Sequence, residues 1–439
     1  MGIKVVKFGG SSLADANQFR KVAEIVKADP DRRYVVASAP GKRFSADVKV
    51  TDMLYQCYEM AKNRQDITDY YKQICERYNS IIRDLKLNFD ITGELEYIKN
   101  GIQHHTGRDF AASRGEYLNS LILAKYLGFG FIDAESVICF KENGQYDEET
   151  TDRLMREELK KHPYAVIPGF YGVMPNGTIR TFSRGGSDIT GSIVAKAADA
   201  ELYENWTDVS GFLMTDPRVV KNPRPIRSVT YRELRELSYM GATVLHEDAI
   251  FPVRNAGIPI NIRNTNEPDA PGTMIVAASA DYDAETVITG IAGKKGLSVI
   301  TIEKDMMNAE IGFGRKILDV LEDYNISFEH LPSGVDTMSV VVPTASLEEH
   351  RERVITSITK RVRPDSVVCE DGLALVAVVG RGMVKAKGTA ARVCTAISNA
   401  DVNIRMIDQG SSELNIIVGV EEKDVEKALN AIYREFVKD

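Results

Sequence analysis

The chain has 439 residues, 44% of them apolar and 27% charged, and its 55 Lys plus Arg against 63 Asp plus Glu give a net charge of −8. That length predicts about two to four domains, and the acidic balance argues against broad nucleic-acid binding. The sequence shows no apolar run of the roughly 18 residues a membrane span needs, no signal-peptide pattern at the N-terminus and no metal-type cysteine spacing; Cys57, Cys75, Cys139, Cys369 and Cys394 read as reduced thiols of a cytoplasmic protein.

Ile3–Phe8 reads as a strand that ends at Gly9-Gly10-Ser11-Ser12, and a helical stretch follows to about Lys27. Tyr34–Ala39 predicts a second strand, and residues 52–88 and 109–127 are mostly helical. Further strands are expected near 129–133, 164–171, 201–206 and 258–263, with helices near 188–199 and 231–240. This alternation predicts an α/β layered domain with a largely parallel sheet. From about 290 onward the pattern changes to an internal repeat. Leu297–Val342 overlays Leu373–Val418 at a constant offset of 76, matching Ile317 with Val393, Phe328 with Ile404, Gly312 with Gly388 and Gly334 with Gly410. Phe313, Ile317, Val320, Leu321 and Tyr324 share one helix face. Each copy reads as a βαββ unit that a further helix and strand would complete.

Four loops carry the candidate chemistry. Lys7-Phe8-Gly9-Gly10-Ser11-Ser12 joins a strand to a helix. Two glycines admit a ligand close to the backbone, free amides favour an anion, and Lys7 adds a full charge. The alternative is a tight turn with a surface lysine; the position at the end of the first strand favours a ligand. Ser183-Arg184-Gly185-Gly186-Ser187-Asp188 opens a helix; capping accounts for Ser187 or Asp188 but not for Arg184 with two glycines. Asp208, in Trp206-Thr207-Asp208-Val209, follows an apolar strand and could accept hydrogen bonds from a ribose or purine, and Thr215-Asp216-Pro217-Arg218 marks a turn. Ser113-Arg114-Gly115-Glu116 lies in a helical stretch, where Glu116 alone reads as a surface residue or as half of an intrahelical ion pair.

Together these segments resemble the aspartokinase family. Lys7–Ser12 is similar to its KFGG[ST]S signature, and residues 113–116, 184–188, 206–209 and 215–218 follow in the family's order, as does Gly241–His246. The C-terminal repeat looks like the family's tandem ACT domains, so the resemblance covers nearly the whole chain. It implies a three-layer αβα amino acid kinase domain at 1–285, a first ACT domain (βαββαβ) at 290–368 that binds an effector, and a second at 369–439 that pairs copies of the enzyme.

The resemblance further implies ATP-dependent phosphorylation of the L-aspartate β-carboxylate to 4-phospho-L-aspartate, the first step of lysine, threonine and methionine biosynthesis, with Mg2+ carried largely by ATP oxygens and water. Lys7 would stabilise the transferring phosphoryl group, with Asp188 orienting it and Gly9, Gly10 and Ser11 around the phosphates. Thr207, Asp208, Asp216, Arg218 and Thr243 would line the nucleotide site. Ser38, Thr51, Glu116, Arg184 and Ser187 would face aspartate, Arg184 at its α-carboxylate and Glu116 at its ammonium. A carboxylate nucleophile is already ionised at neutral pH, so no general base is required. Relatives often carry Lys at Thr243, Pro at Glu247 and Tyr at Leu213, and the loop 40–47 is longer than in short-loop relatives; it either gates the site or is inert. The implied effector site comprises Met307, Gly312, Phe313, Gly314, Glu329, Ser333 and Asp336. Lysine is the expected effector, with threonine as the alternative. The second copy has Arg405 where the first has Glu329, which assigns sensing to the first copy. A homo-oligomer through the ACT domains, a dimer or a dimer of dimers, is expected. A non-catalytic amino-acid sensor is the rival reading, disfavoured because the phosphate-site residues are all present. A fused homoserine dehydrogenase is not expected at this length.

Overall fold

The computed structural model describes residues 2–104, 106–183, 185–241, 247–277 and 286–437. They form two compact units. The first comprises Met1–Phe212, Pro225–Tyr231 and Val244–Ala280; the second comprises Leu213–Arg224, Arg232–Thr243 and Asp281–Asp439.

The strands of the first unit are β1 (Lys4–Phe8), β2 (Arg32–Ala37), β3 (Gly130–Phe131), β4 (Ala165–Pro168), β5 (Tyr171–Val173), β6 (Ile179–Thr181), β7 (Leu202–Thr207), β8 (Ser228–Thr230), β9 (Ile260–Asn264) and β10 (Thr273–Val276). Eight of them form one sheet in the order β3-β4-β2-β1-β7-β9-β10-β8; β5 and β6 form a separate hairpin. All neighbours in the large sheet are parallel except β9 and β10. The strand period of two decides what each face carries. Val6 and Phe8 of β1 pack with Val35, Ala37 and Trp206 under helices Ala16–Lys27, Val50–Lys62, Thr68–Asp84, Thr92–Gln103 and Arg108–Leu127. Lys7 points to the opposite face, where helix Gly186–Ala197 lies. This is the expected α/β architecture.

The helical region expected over 52–88 is interrupted. Helix Val50–Lys62 ends at Asn63, Arg64 turns to a left-handed φ of 58°, and a new helix runs over Thr68–Asp84. Helix Thr92–Gln103 lies outside the predicted helices; Leu95, Ile98 and Ile102 are its buried stripe, while Gly93 and Gly101 weaken its propensity signal.

The second unit is built on β11 (Gly290–Glu303), β12 (Thr337–Pro343), β13 (Ser366–Val379), β14 (Met406–Asp408) and β15 (Asn415–Glu421), in the order β12-β11-β13-β15-β14. Neighbouring strands are antiparallel throughout. β11 and β13 are long enough to serve both repeats. Leu297–Glu303 pairs with β12 on one side, while Gly290–Lys294 pairs with Leu375–Val379, beyond a register irregularity at 294–298. The half of the sheet around β15 therefore takes a strand from ahead of the first repeat. Helices Phe313–Asp323 and Thr389–Asn399 sit at the predicted offset, but Ile300 faces Val340 whereas Val376 faces Val418, two residues past the overlay. An even slip keeps the same residues on the core face, so the apolar pattern conceals it.

Candidate active site

β1 lies between β2 and β7, and the chain reaches these two neighbours from opposite directions in the strand order. Such a switch point leaves a crevice beyond the strand carboxyl ends. The loop after β1 occupies it. Gly9 N–H donates to the Trp206 carbonyl at 3.0 Å. A Cβ on Gly10 would stand 2.9 Å from the Ala39 carbonyl oxygen, and one on Gly41 would stand 2.6 Å from the Gly10 carbonyl carbon. Both positions therefore require glycine. Gly41 N–H donates to the Gly10 carbonyl at 2.8 Å. Ser11 lies in the short turn Gly10–Leu13. Ser12 Oγ meets Thr265 Oγ1 at 2.8 Å, and Thr265 N–H donates to the Thr207 carbonyl, tying this loop to the end of β7.

Lys7 is only 7% exposed. Its Nζ lies 2.6 Å from Asp188 Oδ1, in the first turn of helix Gly186–Ala197. Gly185 enters that helix with a φ of 57°. A buried lysine needs such a partner, since an unpaired buried charge is strongly disfavoured. Parallel register sets Lys7 opposite Asn205 of β7. Asn205 Nδ2 donates to Asp188 Oδ1 at 2.9 Å, and Lys7 Nζ lies 3.4 Å from Asn205 Oδ1. Sequence reasoning missed Asn205. Its signal was an amide side chain in the interior of a strand, on the Lys7 face.

Around the same strand ends the peptide joining Ser38 to Ala39 is held from both sides. Asn119 Nδ2 donates to the Ser38 carbonyl at 2.6 Å, and the Ala39 amide donates to the Glu116 carboxylate. Gly115 lets the helix carrying both side chains lie against Ala39, because a Cβ there would stand 2.8 Å from Ala39 Cβ. Glu116 is not a surface residue. Burial pushes its carboxyl from 4.5 up to about 8, against the amide bonds and nearby Arg114, which favour the anion. Glu116 Oε2 and Asn119 Oδ1 are buried without a hydrogen-bond partner. Ser187 packs on Gly169, whose N–H donates to the Ala37 carbonyl at 3.0 Å. Thr51 lies in the first turn of helix Val50–Lys62, whose Val50 N–H reaches the Pro40 carbonyl at 3.2 Å. Thr207 Oγ1 meets the Asp208 carboxylate at 3.3 Å at the end of β7. Arg184 and Thr243 lie outside the described residues.

The loop 40–47 is tethered. Buried Arg77 pairs with Asp47 at 2.8 Å and donates to the Gly41 carbonyl at 2.5 Å. Arg43 also grips Asp47; its hydrogen bonds, with those of Arg77, hold that carboxyl far below the ordinary range despite burial. Phe44 at the tip is 60% exposed.

Asp216 and Arg218 belong to the second unit and pair with each other at 2.6 Å. A cleft of about 550 Å³ there is lined by Leu213, Pro217, Arg218, Val219, Lys221, Asn222 and Pro223. Of the expected effector residues, Met307 lies in a short turn and Gly312, with a φ of 79°, opens helix Phe313–Asp323. Phe313 packs into the hydrophobic core with Ile317 and Val340. Gly314 packs against Met338, since a Cβ there would stand 3.3 Å from Met338 Cε. Ser333 bridges to Met338, and the Asp336 carbonyl accepts from Lys304 N–H at 2.9 Å. Glu329 is engaged from within the chain. Lys294 Nζ lies 2.7 Å from its carboxylate and 4.5 Å from the centroid of the Tyr239 ring. Burial, then the bond to Glu329, push the Tyr239 hydroxyl up to about 12. The sequence reading missed Lys294 and Tyr239. Arg405, at the position equivalent to Glu329, pairs with Glu370 at 2.7 Å.

A cation ion-paired beside a backbone-tight glycine loop at a sheet switch point belongs to a phosphate-handling α/β protein. The amino acid kinase family profile matches residues 2–264, and an ACT domain profile matches residues 376–436. Aspartokinase 3 of Bacillus subtilis is 41% identical over 452 residues, covering 99% of this chain and 98% of the relative. Among solved structures, Clostridium acetobutylicum aspartate kinase is 53% identical with a TM-score of 0.93, covering 100% of both chains. Escherichia coli aspartokinase III is 25% identical in both of its matching structures. The complex with aspartate and ADP has a TM-score of 0.73 with 99% of both chains covered. The T-state complex with lysine and aspartate has a TM-score of 0.75, covering 99% of this chain and 100% of that one. The chain belongs to the amino acid kinase family and, within it, to the aspartokinases.

Proposed function

We propose that this aspartokinase transfers the γ-phosphoryl group of ATP to the β-carboxylate of L-aspartate, giving 4-phospho-L-aspartate. The observation that carries the reading is the ion pair of buried Lys7 with half-buried Asp188, at 2.6 Å, beside the glycine loop. The acceptor is already an anion, so the barrier is the approach of two negative groups. Positioned cations and backbone donors lower such a barrier. Lys7 Nζ stabilises the transferring group, Asp188 holds Lys7, and Gly9, Gly10 and Ser11 line the phosphates. Thr207, Asp208, Asp216, Arg218 and Thr243 belong to the nucleotide side of the reading. Ser38, Thr51, Glu116, Arg184 and Ser187 belong to the aspartate side.

Among the described residues no group of three or more His, Cys, Asp or Glu side chains is placed to hold a metal ion. The carboxylate nearest Lys7 is already ion-paired, which fits Mg2+ carried by phosphate oxygens and water. Bound there, the ion would neutralise phosphate charge. An aspartate-dependent ADP-release assay tests the activity; turnover that ignores aspartate would contradict it.

Glu116 supplies a pH-dependent check. Between pH 4.5 and about 8 the folded protein keeps a proton that the unfolded chain has released, so this group's contribution to stability is lost as pH rises through that window. Its unpartnered Oε2 is the acceptor for the aspartate ammonium, and binding that cation drives the proton off. Calorimetric titration of aspartate at about pH 7, in two buffers of different ionisation enthalpy, is expected to report release of about one proton. In Glu116→Gln the buffer dependence disappears.

The domains are read as a kinase domain at 1–285, a sensing ACT domain at 290–368 and a pairing ACT domain at 369–439, with 290–294 lent to the latter's sheet half. The enzyme is cytoplasmic and self-associates through the ACT domains as a dimer or a dimer of dimers. Lysine is the feedback effector, with threonine the alternative, bound by Met307, Gly312, Phe313, Gly314, Glu329, Ser333 and Asp336. Glu329 would receive the effector's ammonium, for which Lys294 now stands. Glu329→Gln is expected to raise the lysine concentration for half-inhibition at least about tenfold, a coupling loss on the scale of 1–3 kcal/mol. Uninhibited kcat stays unchanged, and dose–response curves check it.

A further inference from the structure

We propose that Asn205 is a positioning residue for phosphoryl transfer, locking the Lys7–Asp188 pair in one orientation. The proposal rests on Lys7 acting at the transferred phosphoryl group.

Asn205 is 3% exposed and sits within a six-residue strand whose other buried members are Tyr203, Glu204 and Trp206. Its face carries Lys7 across the sheet, and Lys7 and Asn205 are register partners. The three side chains close a ring. Lys7 Nζ meets Asp188 Oδ1 at 2.6 Å, Asn205 Nδ2 donates to that same oxygen at 2.9 Å, and Asn205 Oδ1 faces Lys7 Nζ at 3.4 Å.

An ammonium has three donors on a flexible four-carbon stem. Asp188 takes one and Asn205 faces a second, which directs the third. A primary amide suits this corner because it accepts from a cation and donates to a carboxylate at once. Leucine does neither. An ionised carboxylate would accept from Lys7 but repel Asp188, whereas a protonated carboxyl reproduces the amide's pattern of one acceptor and one donor.

Two variants of the full chain separate positioning from packing. Asn205→Leu is expected to lower kcat about 10–100-fold, the scale of a small misplacement of a catalytic group, while KM for aspartate stays within about twofold. In Asn205→Asp the two neighbouring carboxyls share a proton as pH falls. Its kcat relative to the parent is therefore expected to rise about tenfold from pH 8.5 to pH 6. A parental pH profile in Asn205→Asp overturns the proposal whatever Asn205→Leu does. Parental kcat in Asn205→Leu also overturns it. Lys7→Ala, measured alongside, distinguishes the failures. If Lys7→Ala is inactive while the Asn205 variants behave as the parent, only the Asn205 proposal falls. If Lys7→Ala retains parental turnover, the reading of Lys7 falls and takes the Asn205 proposal with it.

Discussion

Lys7→Ala is expected to lower kcat by about 10²–10³, the cost of removing one preorganised donor to developing charge. The loss falls on kcat because Lys7 Nζ acts on the transferring group. KM for aspartate changes less than about threefold, since the acceptor's own groups are gripped elsewhere. Truncation also leaves the Asp188 carboxylate with the Asn205 amide alone, so the protein gains an underpaired anion where it lost a cation. Lys7→Arg does not rescue. The pocket holds a compact ammonium at 7% exposure, and a planar guanidinium needs a wider fork of acceptors. Steady-state kinetics on Lys7→Ala, Lys7→Arg and the parent check this; an aspartate KM that rises while kcat holds would assign Lys7 to acceptor binding instead.

The largest expected loss of stability comes from Glu204→Gln. Glu204 is 1% exposed in β7 and accepts from Arg32 Nε at 2.9 Å, Arg32 Nη2 at 3.2 Å and Trp206 Nε1 at 2.9 Å. Arg263 approaches it at 3.9 Å, and the guanidiniums of Arg32 and Arg263 lie 5.4 and 4.6 Å from the centroid of the Trp206 ring. One carboxylate thus serves two cations and an indole beneath the strand that carries Asn205. Glutamine keeps the shape but removes the one carboxylate that both guanidiniums face. Breaking a buried pair in this way costs about 3–5 kcal/mol. Urea unfolding of the first unit is expected to shift to a lower midpoint with an unchanged slope. An unmoved midpoint would mean that water reaches the Arg32 guanidinium.

Local pattern made much of this protein legible. The strand-to-loop step at Phe8-Gly9 and the two-glycine helix start before Asp188 carry their chemistry in consecutive residues, and the ACT repeat declares itself by matched apolar positions. What escaped is set by lateral register. Asn205 gains its meaning only because β1 and β7 pair side by side, nearly 200 positions apart in the chain. Lys294 meets Glu329 from 35 residues away, and Tyr239 comes from an earlier helix, so neither contact is visible in consecutive residues. Glu116 looked ordinary because burial is a property of packing; Gly115, the residue before it, is what brings its helix onto Ala39. The loop 40–47 could not be judged mobile or fixed without Arg77, which arrives from helix Thr68–Asp84.

The most direct test is a structure of the enzyme with a non-hydrolysable ATP analogue, Mg2+ and aspartate. The expected result places a γ-phosphoryl oxygen about 3 Å from Lys7 Nζ, with the aspartate β-carboxylate facing the same phosphorus. A γ-phosphoryl group bound away from Lys7 and the Gly9-Gly10 loop would contradict the account.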